Sequence, residues 1–150
     1  MSREHEKGMS VIVKTITRLT VGFILLYGIY IVLHGHVSPG GGFAGGVIIA
    51  LSFIHLILAY GKEVAFKKLS KSAASFFESL GALLFLGIAL LGLIGGYFFM
   101  NFLPKGEPFK LFSAGIIPLC NIAISLKVGA GLFAIFVVLI LLKLEMEKKE

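Results

Sequence analysis

The chain has 150 residues, of which 57% are apolar and 15% charged, with a formal net charge of +6 and a mean hydropathy of +0.98. A soluble domain is about 45–50% apolar and about 25% charged, so this balance excludes an ordinary soluble enzyme. It also excludes intrinsic disorder, which needs low hydrophobicity.

What remains is an all-α, polytopic membrane protein: a single membrane domain over residues 1–150. At about 20 residues per span there is room for four helices and no soluble catalytic domain. Residues 1–10 are polar and carry both signs of charge. The apolar run that follows, 11–33, is too long for a signal-peptide core, and no A-x-A site follows it, so it is expected to stay as an anchor. Lys14 and Arg18 lie in its first turns, where their stems can snorkel to head groups.

A second span is predicted over 43–60 and contains His55. His55 lies 12 residues beyond Phe43, which is about 18 Å into the bilayer. A third span is predicted over 77–103, with Glu78 at its start and Pro104 as its stop. The stretch 111–126 is mostly apolar and reads as a half-buried or re-entrant segment, since backbone at membrane depth must find partners. The fourth span is predicted over 128–142, with Lys127 at its entrance.

Lys and Arg give these spans a direction. One side collects Arg3, Lys7, Lys14, Arg18, Lys62, Lys67, Lys68, Lys71, Lys143, Lys148 and Lys149; the other has Lys105, Lys110 and Lys127. The positive-inside rule places both termini in the cytoplasm, in a multi-pass protein of the cell membrane. The basic residues serve the bilayer: no basic stripe interleaves with stacking aromatics, and no nucleic acid partner is expected. Cys120 is the one cysteine, with no mate for a disulfide or a metal site, and reads as a packing residue.

The stretch between the first two spans is the most unusual. It reads His34-Gly35-His36-Val37-Ser38-Pro39-Gly40-Gly41-Gly42-Phe43-Ala44-Gly45-Gly46. Gly40, Gly42 and Gly45 formally match the dinucleotide pattern G-x-G-x-x-G, but that pattern needs a strand before it, and here a membrane helix precedes it. Ser38 is expected to cap the second helix and Pro39 to take its first position. Gly41 and Gly45, like Gly42 and Gly46, are four apart, a spacing that lets another helix approach closely. Each glycine costs about 1 kcal/mol of helix propensity. Two readings stand: a tight turn with a packing face, or backbone amides that line a polar path with His34 or His36.

This string resembles the signature of the B subunit of multi-subunit Na+/H+ antiporters of the Mrp (Mnh) type, R/H-G-H-x-x-P-G-G-G-F-x-G-G after the first helix. A second string also resembles that family's segment before its last helix. It runs Leu111-Phe112-Ser113-Ala114-Gly115 through Pro118, then from Asn121-Ile122-Ala123 to Gly131-Leu132. The resemblance covers nearly the whole chain, with His34 where Arg is frequent and Ser38 where the residue often differs. It implies an accessory subunit with no cofactor of its own, inside an assembly that exchanges Na+ for protons. The same module recurs in membrane-bound hydrogenases and sulfur reductases, so the resemblance implies other membrane subunits of one such complex as partners, in the lipid bilayer.

The remaining ionisable and polar groups are candidates for an ion path or a subunit contact. His55 is intramembrane, and such groups are often functional. Lys127 can hold a partner's carboxylate, border an ion path or snorkel. Asn121 caps a helix or bonds across an interface. Glu78 is the only acid inside a proposed span, and is predicted to lie at the end opposite Lys127, so the two are not expected to pair. His34 and His36 sit at the outer edge and His55 far deeper, so bis-histidine haem is not expected; no cluster has metal-ligand spacing. With no carboxylate predicted at midspan, autonomous transport is not expected. The alternative is a small self-contained exporter that uses Glu78. A membrane enzyme is weaker still, since no nucleophile–base pattern appears.

Overall fold

The computed structural model describes residues 9–61, 71–111 and 113–147. Arg3, Lys7, Lys62, Lys67, Lys68, Lys148 and Lys149, which enter the predicted orientation, lie outside the described residues, as does Phe112 of the second string. Among the described residues there are four α-helices: α1 Val11–Leu33, α2 Gly41–Tyr60, α3 Lys71–Leu91 and α4 Ile117–Glu147. A short 3-10 helix, Gly92–Gly95, extends α3. The stretches Val11–Leu33, Gly41–Tyr60, Ser72–Gly95 and Ile117–Lys143 are each long and apolar enough to cross a membrane.

Ser10 starts α1, its hydroxyl accepting from Val13 N–H at 3.5 Å. Two hydroxyls inside this helix are satisfied locally: Thr15 donates to Val11 O at 2.9 Å and Thr20 to Ile16 O at 3.0 Å. Such bonds to the preceding turn let threonine sit in an apolar helix without an orphan donor. α2 runs back antiparallel. Its last turn is tied to the start of α1, with Met9 N–H donating to Ala59 O at 2.9 Å and Tyr60 O–H to Lys14 O at 2.8 Å.

α2 and α4 run parallel, with Gly42 at the level of Asn121 and Phe53 stacked edge-on against Phe133 at 6.0 Å. α3 packs antiparallel on α4: Gly81 lies beside Ala123 and Lys127, while Ala74 joins Ile57, Phe133 and Val137 in a buried cluster at the other end. Residues 9 and 147 thus lie towards the same end of the bundle.

The packing is inside-out compared with a soluble domain. The buried positions are largely small: Ala50, Ala59, Ala74, Ala89, Ala123 and Ala130. Large apolar side chains such as Leu19, Phe23, Leu26, Leu83 and Ile135 face outward. Lipid is as apolar as leucine, so helices in a membrane associate by close packing of small residues, and bulk belongs on the outside.

Three sequence expectations change. The third helix ends at Leu91, with the 3-10 turn to Gly95, and not at Leu103. Gly96 adopts φ 104°, a conformation open to glycine, and the chain turns back so that Phe99 N–H donates to Ala89 O at 3.2 Å. Pro104 therefore follows the stop and does not make it. The stretch 111–126 is not a separate re-entrant segment: from Ile117 onward it is the first part of the 31-residue helix α4. Ser38 does not cap α2. Its hydroxyl donates back to His34 O at 3.1 Å, closing α1, and Pro39 lies before the helix. The reversal falls to Gly40 at φ 133° and Gly41 at φ 65°, values that side-chain-bearing residues rarely adopt.

Candidate functional site

Two polar regions stand out in this apolar bundle. The first is the glycine turn, where α2 enters between α1 and α4. A side chain at Gly42 would meet the Asn121 backbone. One at Gly45 would meet Val32 and Gly28 of α1, and one at Gly46 would lie 2.9 Å from Ser125 O. Gly129 of α4 faces the Gly46 carbonyl in return. Gly45 thus serves α1 while Gly41, Gly42 and Gly46 serve α4, and three helices meet almost backbone to backbone.

Asn121 is wedged into this junction, only 8% exposed. Its Oδ1 accepts from Gly42 N–H at 3.2 Å and takes up one of the free amides that begin α2. Its Nδ2 is buried without a partner. His36 donates through Nε2 to Lys110 O at 3.0 Å, which ties the turn to the connection between α3 and α4; its Nδ1 is buried and unpartnered. His34 donates through Nδ1 to Tyr30 O at 3.0 Å and stacks on the Tyr30 ring at 4.1 Å. The structure therefore gathers His34, His36 and Asn121 around one end of α2, each fastened to backbone.

Sequence reasoning missed Asn101. Its Oδ1 accepts from Leu103 N–H and from Ile116 N–H, both at 3.2 Å, so it pins the connection beside the first turn of α4. A side chain at Gly115, which has φ 62°, would collide with it. An asparagine next to a proline-containing, glycine-containing loop was the available signal.

The second region lies deeper. Lys127 Nζ stands 3.7 Å from Glu78 Oε1. This overturns the expectation that the two lie at opposite ends. α4 begins at Ile117, so Lys127 lies ten residues, about 15 Å, inside it. α3 begins at Lys71, so Glu78 lies seven residues, about 10 Å, from its start. The antiparallel packing then brings them level. The close seam at Gly81, where a Cβ would be 2.7 Å from both Ala123 O and Lys127 N, holds the two backbones near enough for the side chains to meet. The chain thus does hold a carboxylate well inside a span.

Each charge alone would be costly there, at about 2.5–3.5 kcal/mol for Lys or Asp at a helix centre. Pairing offsets part of that. Yet the side chains remain 54% and 42% exposed on the outside of the bundle, for Lys127 and Glu78 respectively. They line an open groove of about 500 Å³ with Ser79, Ala82, Leu83 and Leu86. Lys127 is therefore not at a helix entrance. His55 stays apart from both regions, exposed on α2. Among the described residues, no group of three or more His, Cys, Asp or Glu could hold a metal ion.

A family model described as a domain related to the MnhB subunit of Na+/H+ antiporter matches residues 12–134. The uncharacterized protein MJ1307 of Methanocaldococcus jannaschii is 44% identical over 115 residues, covering 70% of this chain and 42% of that protein. The subunit mnhB2, assigned to an antiporter in Staphylococcus aureus (strain Newman), is 40% identical over 63 residues, covering 42% of this chain and 45% of that one. A solved structure, a chain of the membrane-bound sulfane sulfur reductase, an archaeal respiratory membrane complex, is similar with a TM-score of 0.71 and 32% identity. It covers 89% of this chain and 61% of that one. The chain spans less than half the length of both of these curated relatives.

Proposed function

The chain belongs to the MnhB-related family, and from that premise we propose that it is an accessory membrane subunit of a multi-subunit Na+/H+ antiporter module. It contributes to assembly and to the ion path, and is not itself catalytic. It resides in the cytoplasmic membrane with both ends on the cytoplasmic side, as the distribution of Lys and Arg favours. The observation that carries the reading is the extent of the family match, from the first turn of α1 into the middle of α4. The glycine seam supplies the assembly part. His34, His36, His55, Asn121, Glu78 and Lys127 are the groups available to a polar path or to subunit contacts.

A second reading is favoured by the similarity to a chain of the sulfane sulfur reductase. In it, the same module forms the ion-translocating part of a membrane-bound redox complex, with Na+ and protons again as cargo. One purification separates the two. The tagged chain is extracted from its own membranes in mild detergent, and its partners are identified by mass spectrometry. Several large multi-span partners are expected. Iron–sulfur subunits among them would select the redox complex, and their absence the antiporter. Recovery of the chain with no membrane partner would overturn both, and would return weight to a self-contained exporter built on Glu78.

A further inference from the structure

Among the described residues, nothing covers the groove beside Glu78 and Lys127. Four stretches among the described residues have membrane-span length, and the pair lies inside two of them, Ser72–Gly95 and Ile117–Lys143. Residue 130 is the midpoint of the second stretch, so Lys127 lies three residues, about 4.5 Å, from it. A lysine stem relieves its charge by snorkelling only near a helix end. Lys127 lies ten residues, about 15 Å, from the start of α4.

The pair does not close on itself either. Its 3.7 Å separation is well beyond the roughly 2.7–2.9 Å of a charge-assisted hydrogen bond. An ammonium has three donors, and a carboxylate about four acceptor positions. With the side chains 54% and 42% exposed, much of this capacity is open to the groove they line. Hydrocarbon cannot satisfy them, and an unsatisfied polar group in lipid is strongly disfavoured.

The groove has the form of a helix seat. On α3 the residues Ser79, Ala82, Leu83 and Leu86 recur at intervals of three, one and three, which places them along one face. Ser79 and Ala82 are small and leave room for a close backbone, while Leu83 and Leu86 form an apolar wall and are exposed. Small residues with a polar group among them are the composition of a contact between membrane helices, and not of a surface built for lipid.

Resting on the functional reading above, we propose that this groove seats a transmembrane helix of a neighbouring membrane subunit. That helix brings a hydrogen-bonding or ionisable side chain to the Glu78–Lys127 pair. The charge complementarity is the argument for this occupant: an anion and a cation, each about half exposed, face the seat together, and a polar side chain at that depth completes their bonding where lipid or an apolar helix does not. The result is an intramembrane polar site that neither chain holds complete.

The test is photo-crosslinking in the assembled complex, with p-benzoylphenylalanine placed at Leu83. Leu86, one turn along, repeats the measurement should the probe at Leu83 prevent assembly. The expected product is one defined adduct. Its crosslinked peptide maps to a membrane helix of another subunit and carries a polar or ionisable residue within one turn of the attachment point. A lipid adduct alone, an adduct to a second copy of this chain, or attachment to a helix that is apolar throughout would each overturn the proposal. If partners co-purify but Leu83 and Leu86 find only lipid, the functional reading survives and this proposal falls. If no partner co-purifies, both fall.

Discussion

The two sides of α4 make opposite use of the same kind of helix. Towards α2, the contact is made by backbone: glycines remove the side chains, and Asn121 Oδ1 reaches a free amide of Gly42 at 3.2 Å, while its buried Nδ2 is left over. The junction is closed. Towards α3, Gly81 again brings backbones together, but the charges that meet beside it face outward, about half exposed. The lesson is that small residues hold both interfaces, while polar groups decide which one is finished within the chain. A closed seam should be sensitive to bulk wherever it is tested. An open polar face should be sensitive to charge, and to the presence of neighbours.

The largest effect is expected at the closed seam. Gly42→Val puts side-chain atoms into the Asn121 backbone, which cannot move aside without displacing α4. Overpacking typically costs about 1–3 kcal/mol, and a backbone collision more. The level of the chain in membranes should fall at least about ten-fold by immunoblot, since a loss of that size is large beside a marginal stability. Accumulation at the parental level would show that the seam is looser than described.

The open face should respond differently. Lys127→Leu leaves Glu78 without its cation at membrane depth, at a cost of roughly 2–3 kcal/mol. Glu78→Leu combined with Lys127→Leu removes both charges and should recover much of the lost stability. Thermal melting of the complex across this double-mutant cycle measures the coupling. Simple additivity of the two single losses would mean that the pair does not interact.

A smaller loss is expected for Asn121→Leu, which leaves the Gly42 amide buried without its acceptor, at about 1–3 kcal/mol. It should lower the melting temperature without abolishing assembly. The smallest effect belongs to Gly22→Ala on α1. No heavy atom lies within 4 Å of the added carbon, so the gain in helix propensity should stabilise by at most about 1 kcal/mol. Loss of the assembled complex from Gly22→Ala would reveal a partner on that face as well.

Much of the fold was legible because membrane helices announce themselves by length and apolarity. The helix α1 runs over 23 residues, with Lys14 and Arg18 its only charges, both in its first turns. The glycine spacing also showed where backbones approach, although not that Gly45 turns to α1 while Gly42 and Gly46 turn to α4. Tertiary context was the hidden part. Lys127 looked like a boundary because a lone charge usually ends an apolar run; in fact it lies inside a 31-residue helix, tolerated because Glu78 lies opposite. The apolar run from Tyr97 to Leu103 looked like more of α3, and only the reversal at Gly96 shows that it is not helical. Asn101 gave no periodic signal, since its value lies in two backbone amides brought near it by folding.

The claim that this chain is one part of an ion-translocating assembly can be tested most directly by reconstitution. The purified chain alone and the intact complex are placed in separate proteoliposomes with an internal pH dye, and a Na+ gradient is imposed. A subunit role predicts no Na+-dependent pH change from the chain alone, and exchange from the complex where that complex is the antiporter. Sustained Na+-driven proton movement by the chain alone would contradict it.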